Sequence, residues 1–129
     1  MSYGFNTTVK DNFENVVSRV TDALKEEGFG VLTEIDVQAT LKAKLDVDGR
    51  PYKILGACNP QLAHKAITAE PDIGLLLPCN VVVREEEDGS INVGFMDPVS
   101  VLGLVNKPEL ESLGAEVKSR LQRVRDALA

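Results

Sequence analysis

The chain has 129 residues, of which 43% are hydrophobic and 26% charged, a composition typical of globular domains that excludes a largely disordered chain. Its formal net charge of −6 disfavours nucleic acid as a partner, because phosphate contacts need clustered Lys and Arg side chains. At this length we predict a single domain over residues 1–129, built around one hydrophobic core.

The N-terminal residues have neither the basic start nor the apolar stretch of a secretory signal. No apolar run approaches the roughly 20 residues that a membrane-spanning helix needs. We therefore expect a cytoplasmic protein without a membrane partner. In that compartment the two cysteines are expected to be free thiols.

The first third of the chain predicts a strand, a long helix and a second strand. Residues 3–9 alternate between apolar and small or polar side chains, as a half-buried strand does. Asp11 and Glu14 resemble a capping box, and apolar residues then recur at helical spacing as far as Leu24. Gly28 ends this helix. The following strand places four alternating side chains on one face: Phe29, Val31, Thr33 and Ile35.

The middle of the chain predicts a short helix, a buried strand and another helix. Residues 36–47 fit both strand and helix periodicity, but their Ala, Leu, Lys and Gln content and a possible Asp36 cap favour a helix. A turn at 48–51 precedes a buried strand over 52–58 and a helix over 60–69. Beyond this helix, three consecutive leucines are predicted to be buried: Leu75, Leu76 and Leu77.

The last third predicts a hairpin and a long final helix. Residues 79–87 and 90–96 form the two strands, with Asp88-Gly89 as a two-residue turn. The apolar run 99–105 predicts a covered loop or a short helix. Pro108 begins the final helix, in which apolar residues repeat every three or four positions.

This order of elements predicts an α+β fold. We expect a curved, mainly antiparallel sheet with the two long helices packed on one face. The opposite face then needs cover, and a second copy of the chain would supply it. We therefore predict a homodimer. The run 99–105 is either part of the core or part of the dimer contact, and the sequence leaves both interpretations open.

The two cysteines and the only histidine suggest chemistry of three kinds. Cys58, His64 and Cys79, with Asp97 as a possible fourth ligand, would form a metal site, although the closely spaced ligand pairs of zinc sites are missing. Cys58 and Cys79 would lie at neighbouring strand ends as a redox pair, or would simply pack as small hydrophobic residues. A Cys-His enzyme would require His64 to face Cys58. No phosphate-binding glycine loop is present, and we predict no cofactor.

Cys58 is the thiol for which we predict the greater reactivity. Asn59 can cap the next helix and Pro60 fits its first position, which places the sulfur near the positive end of a helix dipole. Burial at a strand end opposes this effect, because desolvation favours the neutral thiol. Cys79 precedes a strand and has no such helix beside it, so it should react more slowly.

Several motifs together resemble the family called domain of unknown function 302. The residues that carry the resemblance are Ile-Leu-Gly-Ala-Cys-Asn-Pro at 54–60, Ala66, Glu70-Pro71, the run from Gly74 to Val81, and Met96-Asp97-Pro98. The resemblance implies a small bacterial or archaeal domain of TATA-binding-protein-like fold class, with a β-α-β(4)-α-like arrangement and short extra helices, commonly assembled as a dimer. It carries over no catalytic residues, and a likeness to a DNA-binding fold does not transfer DNA binding.

These inferences favour a small-ligand-binding or sensing module that acts as a homodimer with a pocket near Cys58. The alternatives are a thiol- or metal-dependent enzyme that uses Cys58 and Cys79, and a purely structural dimerising protein. The sequence does not decide whether any reaction is catalysed. The candidate ligand-binding residues are Cys58, Asn59, Cys79, Asn80, Met96 and Asp97.

Overall fold

The computed structural model describes residues 2–129, in which five strands form one antiparallel sheet. The strands are β1 (Gly4–Val9), β2 (Gly30–Asp36), β3 (Tyr52–Cys58), β4 (Cys79–Glu85) and β5 (Ile91–Met96). Their order across the sheet is β1-β5-β4-β3-β2, and each neighbouring pair is antiparallel. The mainly antiparallel α+β fold predicted from the sequence is thereby confirmed.

In the described part of the chain, five α-helices connect and cover these strands. They are α1 (Phe13–Glu26), α2 (Val37–Leu45), α3 (Pro60–Ala69), α4 (Pro98–Leu102) and α5 (Pro108–Leu128). Short 3-10 helices follow α3 at Pro71–Leu76 and α4 at Gly103–Val105. Asp36 caps α2, since its Oδ1 accepts a hydrogen bond from Ala39 N–H at 2.8 Å, and the helix predicted over this ambiguous stretch is correct.

The main core lies between the sheet and the two long helices. One stripe of α1 and one stripe of α5 are fully buried, as their three-and-four spacing predicted. They meet alternate side chains of the central strands, each of which contributes roughly 1.5–3 kcal/mol by its burial. The side chains that fill this layer include Val16, Val20, Leu24, Leu55, Val81, Val83, Phe95, Leu121 and Val124.

A second, smaller core cluster lies beside the first. Its buried members come from α3, the 3-10 helix after it, α4 and the start of α5: Ala66, Ile73, Leu102 and Leu110. Leu102 is therefore a core residue, whereas Leu104 of the same apolar run is 73% exposed. The structure thus divides the run 99–105 between the core and the surface.

Three local predictions were wrong. The N-cap of α1 is Asn12, because its Oδ1 accepts from Asn15 N–H at 2.8 Å, while Asp11 bonds the Asn12 N–H instead. Leu75 is 86% exposed, because the 3-10 helix turns it away from Ile73 and the second core cluster. The hairpin loop has three residues, 87–89, because the Glu86 N–H still donates a hydrogen bond to the Ser90 carbonyl oxygen. Gly89, the last loop residue, takes the left-handed conformation typical of a three-residue hairpin loop.

Strand β2 also differs from its predicted single face. Val31 pairs with Ala57 and Thr33 pairs with Gly56, so Leu32 is an extra residue in the ladder. Such a bulge reverses the alternation of side chains beyond it. Val31 consequently shares the face of Ala57, whereas Thr33 lies on the opposite face, beside Gly56.

Among residues 2–129, none of the helices carries an apolar stretch long enough to cross a lipid bilayer.

Candidate ligand-binding cavity

A cavity of about 350 Å³ lies at the end of the sheet where β3 ends and β4 begins. We call it the thiol cavity, because Cys58 and Cys79 both line it. The cavity lies between the main core and the second cluster. Strand residues therefore form one of its walls, and helix residues form the other. The strand side contains Phe29, Leu32, Thr33, Ala57, Pro78 and the two cysteines, and the helix side contains Leu62, Ala63, Ala66, Ile67, Leu102, Leu113 and Val117.

The start of α3 positions the thiol end of this cavity. Asn59 is the N-cap, and its Oδ1 accepts a hydrogen bond from Leu62 N–H at 3.2 Å. Pro60 occupies the first helical turn, where its missing N–H costs no hydrogen bond. Gly28 has a φ of +84°, and a Cβ there would lie 2.8 Å from Asn59 Nδ2. A side chain at this glycine would therefore displace the cap.

The two cysteines are free thiols in different environments. Cys58 is half-buried and directly precedes the capped helix, whereas Cys79 is only 7% exposed. Burial, and to a smaller extent the nearby Cys58, raises the pKa of the Cys79 thiol to about 11. Cys79 therefore stays protonated at neutral pH.

Asn80 and Met96 lie away from this cavity, although the sequence grouped them with it. Adjacent residues of a strand point to opposite faces, so Asn80 leaves the face that Cys79 occupies. Both residues line a different depression of about 330 Å³, on the sheet face opposite α1 and α5. We call it the sheet-face groove, and its other lining residues are Tyr3, Gly4, Tyr52, Val82, Arg84, Gly94, Phe95 and Val101.

Asp97 is an N-cap residue and lines neither depression. Its Oδ1 accepts hydrogen bonds from Val99 N–H at 2.9 Å and Ser100 N–H at 3.4 Å, and its Oδ2 lies 2.8 Å from Lys118 Nζ. Burial opposes ionisation of this carboxyl, but Lys118 and the two N–H groups outweigh it and keep the pKa of Asp97 below its ordinary value. The residue ties the end of β5 to α5.

His64 lies on the other side of α3 from the thiols, in a shallow depression with Lys65, Thr68 and Glu109. Cys58 and Cys79 therefore border the same cavity, whereas His64 does not. Within residues 2–129, no group of three or more His, Cys, Asp and Glu side chains is arranged to hold a metal ion.

The helix side of the cavity was not assigned to a site from the sequence. Leu113 and Val117 belong to the apolar stripe of α5, and such a stripe gives the same signal for core packing and for a cavity wall. The apolar run from Leu75 to Leu77 indicated buried surface near this site more directly than the α5 stripe did, and Leu77 does line the cavity. Small side chains at Ala63 and Ala66 would have been the remaining hint, because they leave space where larger residues would fill it.

The model of the family described as domain of unknown function DUF302 matches residues 5–128. The chain belongs to the DUF302 family. An uncharacterized protein from Aquifex aeolicus (strain VF5) is 32% identical to this DUF302 chain over 85 aligned residues, and the match covers 57% of the chain and 58% of that relative. The match therefore spans somewhat more than half of the relative's length.

A solved structure gives a more complete comparison. The crystal structure of an uncharacterized conserved DUF302 protein from Bacillus stearothermophilus is 31% identical to this chain and superposes with a TM-score of 0.91. The superposition covers 98% of each chain. The sequence motifs that resembled the family thus lie within a shared DUF302 architecture.

Proposed function

We propose that this DUF302 protein is a ligand-binding or sensing module that holds a small, uncharged, largely apolar molecule in the thiol cavity. The observation that carries the proposal is a cavity of about 350 Å³ bordered almost entirely by apolar side chains. Protein interiors are normally packed with few voids larger than a water molecule, whereas small-molecule sites begin at roughly 300 Å³. Apolar cavities readily take up apolar molecules, since no ordered water has to be displaced from polar partners.

The rim of the cavity supports the same role. Leu32 is 68% exposed and Ile67 is 47% exposed, and both border the cavity. Exposed leucine and isoleucine beside an apolar cavity give a ligand a route from the surface. The bulge in β2 contributes to this route, because it sets Leu32 out of the regular alternation of side chains along the strand.

Indole is a suitable first probe, because it is small, uncharged and largely apolar. Titration followed by two-dimensional NMR should show saturable shifts at Ala57, Leu62 and Val117, around the cavity. Ala66→Leu adds three carbon atoms to the helix wall and should weaken indole binding by at least about tenfold. Ala115→Leu is the matched control, because Ala115 is exposed on α5 outside the cavity, and it should bind as the wild type does.

Native mass spectrometry of protein purified without added ligand provides a second test. A retained organic molecule of low mass supports the proposal. Unsaturable indole shifts spread over the surface, unchanged by Ala66→Leu, would contradict it. Ala63→Leu, at a half-buried position on the same wall, replaces Ala66→Leu if the latter fails to fold.

We further propose that the module acts as a homodimer through α2 and the exposed edge of β2. Helix α2 has nine residues and buries none of its side chains, although helices this short are marginal in water without packing partners. Its neighbourhood exposes four aliphatic side chains within residues 35–47: Ile35, Leu41, Leu45 and Val47.

The charges around this patch favour a second copy over a charged partner. Lys42 is paired with Asp46 and Asp48, and Lys53 with Glu34. Residues 34–53 carry four basic and four acidic side chains in all. The patch is therefore apolar and locally neutral, which suits self-association about a two-fold axis, where the same surface serves both subunits.

Sedimentation at micromolar concentration should give twice the 14.0 kDa chain mass. Leu45→Asp should shift the equilibrium to monomer, because it places a charge in the proposed interface. Leu75→Asp, at an exposed position on the 3-10 helix after α3, is the control and should leave the dimer intact. A wild-type protein that sediments as monomer would contradict this part of the proposal.

A further inference from the structure

Residues 60–78 cover one side of the thiol cavity and form a continuous segment between β3 and β4. We call this segment, which consists of α3 and the 3-10 helix after it, the cavity lid. Ile67, one of the two exposed residues at the rim, belongs to the lid, whereas Leu32 belongs to the sheet. The mouth of the cavity therefore widens when the lid moves away from the sheet.

Few buried side chains hold the lid to the rest of the protein. Within residues 60–78 the buried side chains are Leu62, Ala66 and Ile73, and the first two also line the cavity. Part of their surface consequently meets open volume instead of packed atoms. Of the three, only Ile73 is buried in the second core cluster without bordering the cavity. Segments with few buried apolar contacts open locally at a lower free energy than the surrounding core does.

A lysine from outside the lid compensates for this sparse packing. Lys107 Nζ donates a hydrogen bond to the Ala69 carbonyl oxygen at 2.9 Å and lies 3.1 Å from Glu70 Oε2. The last turn of α3 has no basic residue of its own, so Lys107 supplies the positive charge that a helix C-terminus favours. Glu70 Oε1 in turn accepts a hydrogen bond from the Asp72 N–H at 3.3 Å and caps the 3-10 helix. Lys107 thus binds the lid at the junction of its two helices.

Lys107 is itself fixed at the start of α5. Its carbonyl oxygen accepts hydrogen bonds from the Leu110 N–H at 3.0 Å and the Glu111 N–H at 3.1 Å, and α5 packs against the main core. We propose that the lid opens as a unit to admit and release the ligand, and that Lys107 is the latch that holds it closed. This inference rests on the proposed binding of an apolar ligand in the thiol cavity.

A latch and a wall residue have different effects on binding. Lys107 is not among the residues that line the cavity, so its loss changes how often the lid opens without changing what the bound ligand contacts. The ligand enters and leaves through the same opening. Both rates should therefore rise by the same factor, and Kd should stay unchanged. Ala66→Leu, by contrast, fills the cavity and should raise Kd.

Lys107→Met removes the charge and keeps an unbranched apolar side chain. Line shapes in a two-dimensional NMR titration with indole should give association and dissociation rates that both exceed those of the wild type by roughly three- to tenfold. Lys107→Arg should restore the slow rates, because a guanidinium can donate to both acceptors. The matched control is Lys118→Met, which breaks the ion pair of α5 with Asp97 outside the lid and should leave both rates unchanged.

Amide hydrogen exchange of the ligand-free protein measures opening of the lid without indole. In Lys107→Met, exchange should be faster at residues 62–77 and unchanged in α1 and the central strands. Faster exchange over the whole chain would mean that Lys107 only stabilises the fold, and it would overturn the inference. Equal acceleration of indole binding in Lys118→Met, or a raised Kd with unchanged rates in Lys107→Met, would overturn it as well.

The two measurements separate this inference from the proposed function. Indole binding with unchanged rates and unchanged amide exchange in Lys107→Met would overturn the latch and leave the proposed function standing. Amide exchange that accelerates only in the lid, in a protein that binds no indole, would support the lid and its latch and overturn the proposed ligand. Failure of both measurements would overturn both proposals.

Discussion

The thiol cavity and the sheet-face groove have similar volumes, about 350 and 330 Å³, yet they are different kinds of surface. Adjacent residues of β4 separate them, since Cys79 lines the first and Asn80 the second. Helices α3 and α5 cover the cavity, whereas the groove lies on the sheet face that those helices leave open. Volume therefore does not distinguish a candidate site here, whereas the almost wholly apolar lining of the thiol cavity does.

The largest expected difference in stability between the two depressions comes from substitutions at two strand glycines, Gly56 and Gly94. At Gly56 a Cβ would run into Thr33 Oγ1 and lie 2.9 Å from Pro78 Cγ, both groups from residues that border the cavity. At Gly94, which lines the groove, a Cβ would meet nothing within 4 Å. Gly56→Ala should lower the free energy of unfolding by about 2–3 kcal/mol through overpacking, and Gly94→Ala should not lower it.

Urea denaturation of both variants measures the difference. Thr33→Ala combined with Gly56→Ala should recover part of the loss, because it removes the Oγ1 that obstructs the new methyl group. Equal stability of Gly56→Ala and Gly94→Ala would mean that the cavity end of the sheet is as loosely covered as the groove.

The Asp97–Lys118 pair fixes α5, which forms part of the cavity wall, and should show the next largest effect. Asp97→Ala loses both the cap and the ion pair and should cost about 2 kcal/mol, whereas Asp97→Asn keeps a capping oxygen and should cost less. Since folding lowers the pKa of Asp97, its stabilisation is complete above the unfolded value of about 3.9 and is lost as the pH falls through the folded value.

The stability difference between wild type and Asp97→Ala should therefore be constant near neutral pH and shrink in acid below about pH 4. Denaturation curves at several pH values test this. A difference that persists unchanged in strong acid would show that the carboxylate charge contributes nothing to the loss.

Substitution of Cys79 by serine should have a smaller effect. The change leaves a hydroxyl at a site that is 7% exposed and otherwise apolar, at a cost of about 1–2 kcal/mol. Because folding raises the pKa of the Cys79 thiol to about 11, its contribution to stability falls as the pH rises from the ordinary thiol value of 9.0 towards that value. The wild type should lose this stability in alkali, and Cys79→Ser should not. If the unfolding free energies of both proteins fall in parallel between about pH 8 and about pH 11, another group titrates in that range.

The neighbouring Asn80→Ser should have the smallest effect. Asn80 is exposed on the open sheet face, so its unfolding free energy should change by no more than about 0.5 kcal/mol. Indole binding should also be unchanged, because the side chain does not border the thiol cavity. Weaker indole binding in Asn80→Ser would show that the two depressions are connected, and the distinction between them would fail.

The secondary structure could be predicted wherever local physics decides it. Alternation identified the central strands, helical spacing identified α1 and α5, and an Asp36 cap decided between two periodicities in α2. The errors fell where one residue changes the outcome, as with the choice of Asn12 over Asp11 as a cap and the bulge at Leu32. Both depend on backbone geometry that several neighbouring residues can satisfy.

By itself the sequence determined the fold class, the strand and helix order, and the adjacency of Cys58 to a capped helix, because each follows from spacing within about a dozen residues. Only the tertiary structure decided which side chains meet. It lined one cavity with Cys58, Cys79, Ala66 and Leu113 through strand register and helix packing, which depend on contacts between distant segments. It also moved Asn80 to the other face, because the pleat sends successive side chains of a strand in opposite directions.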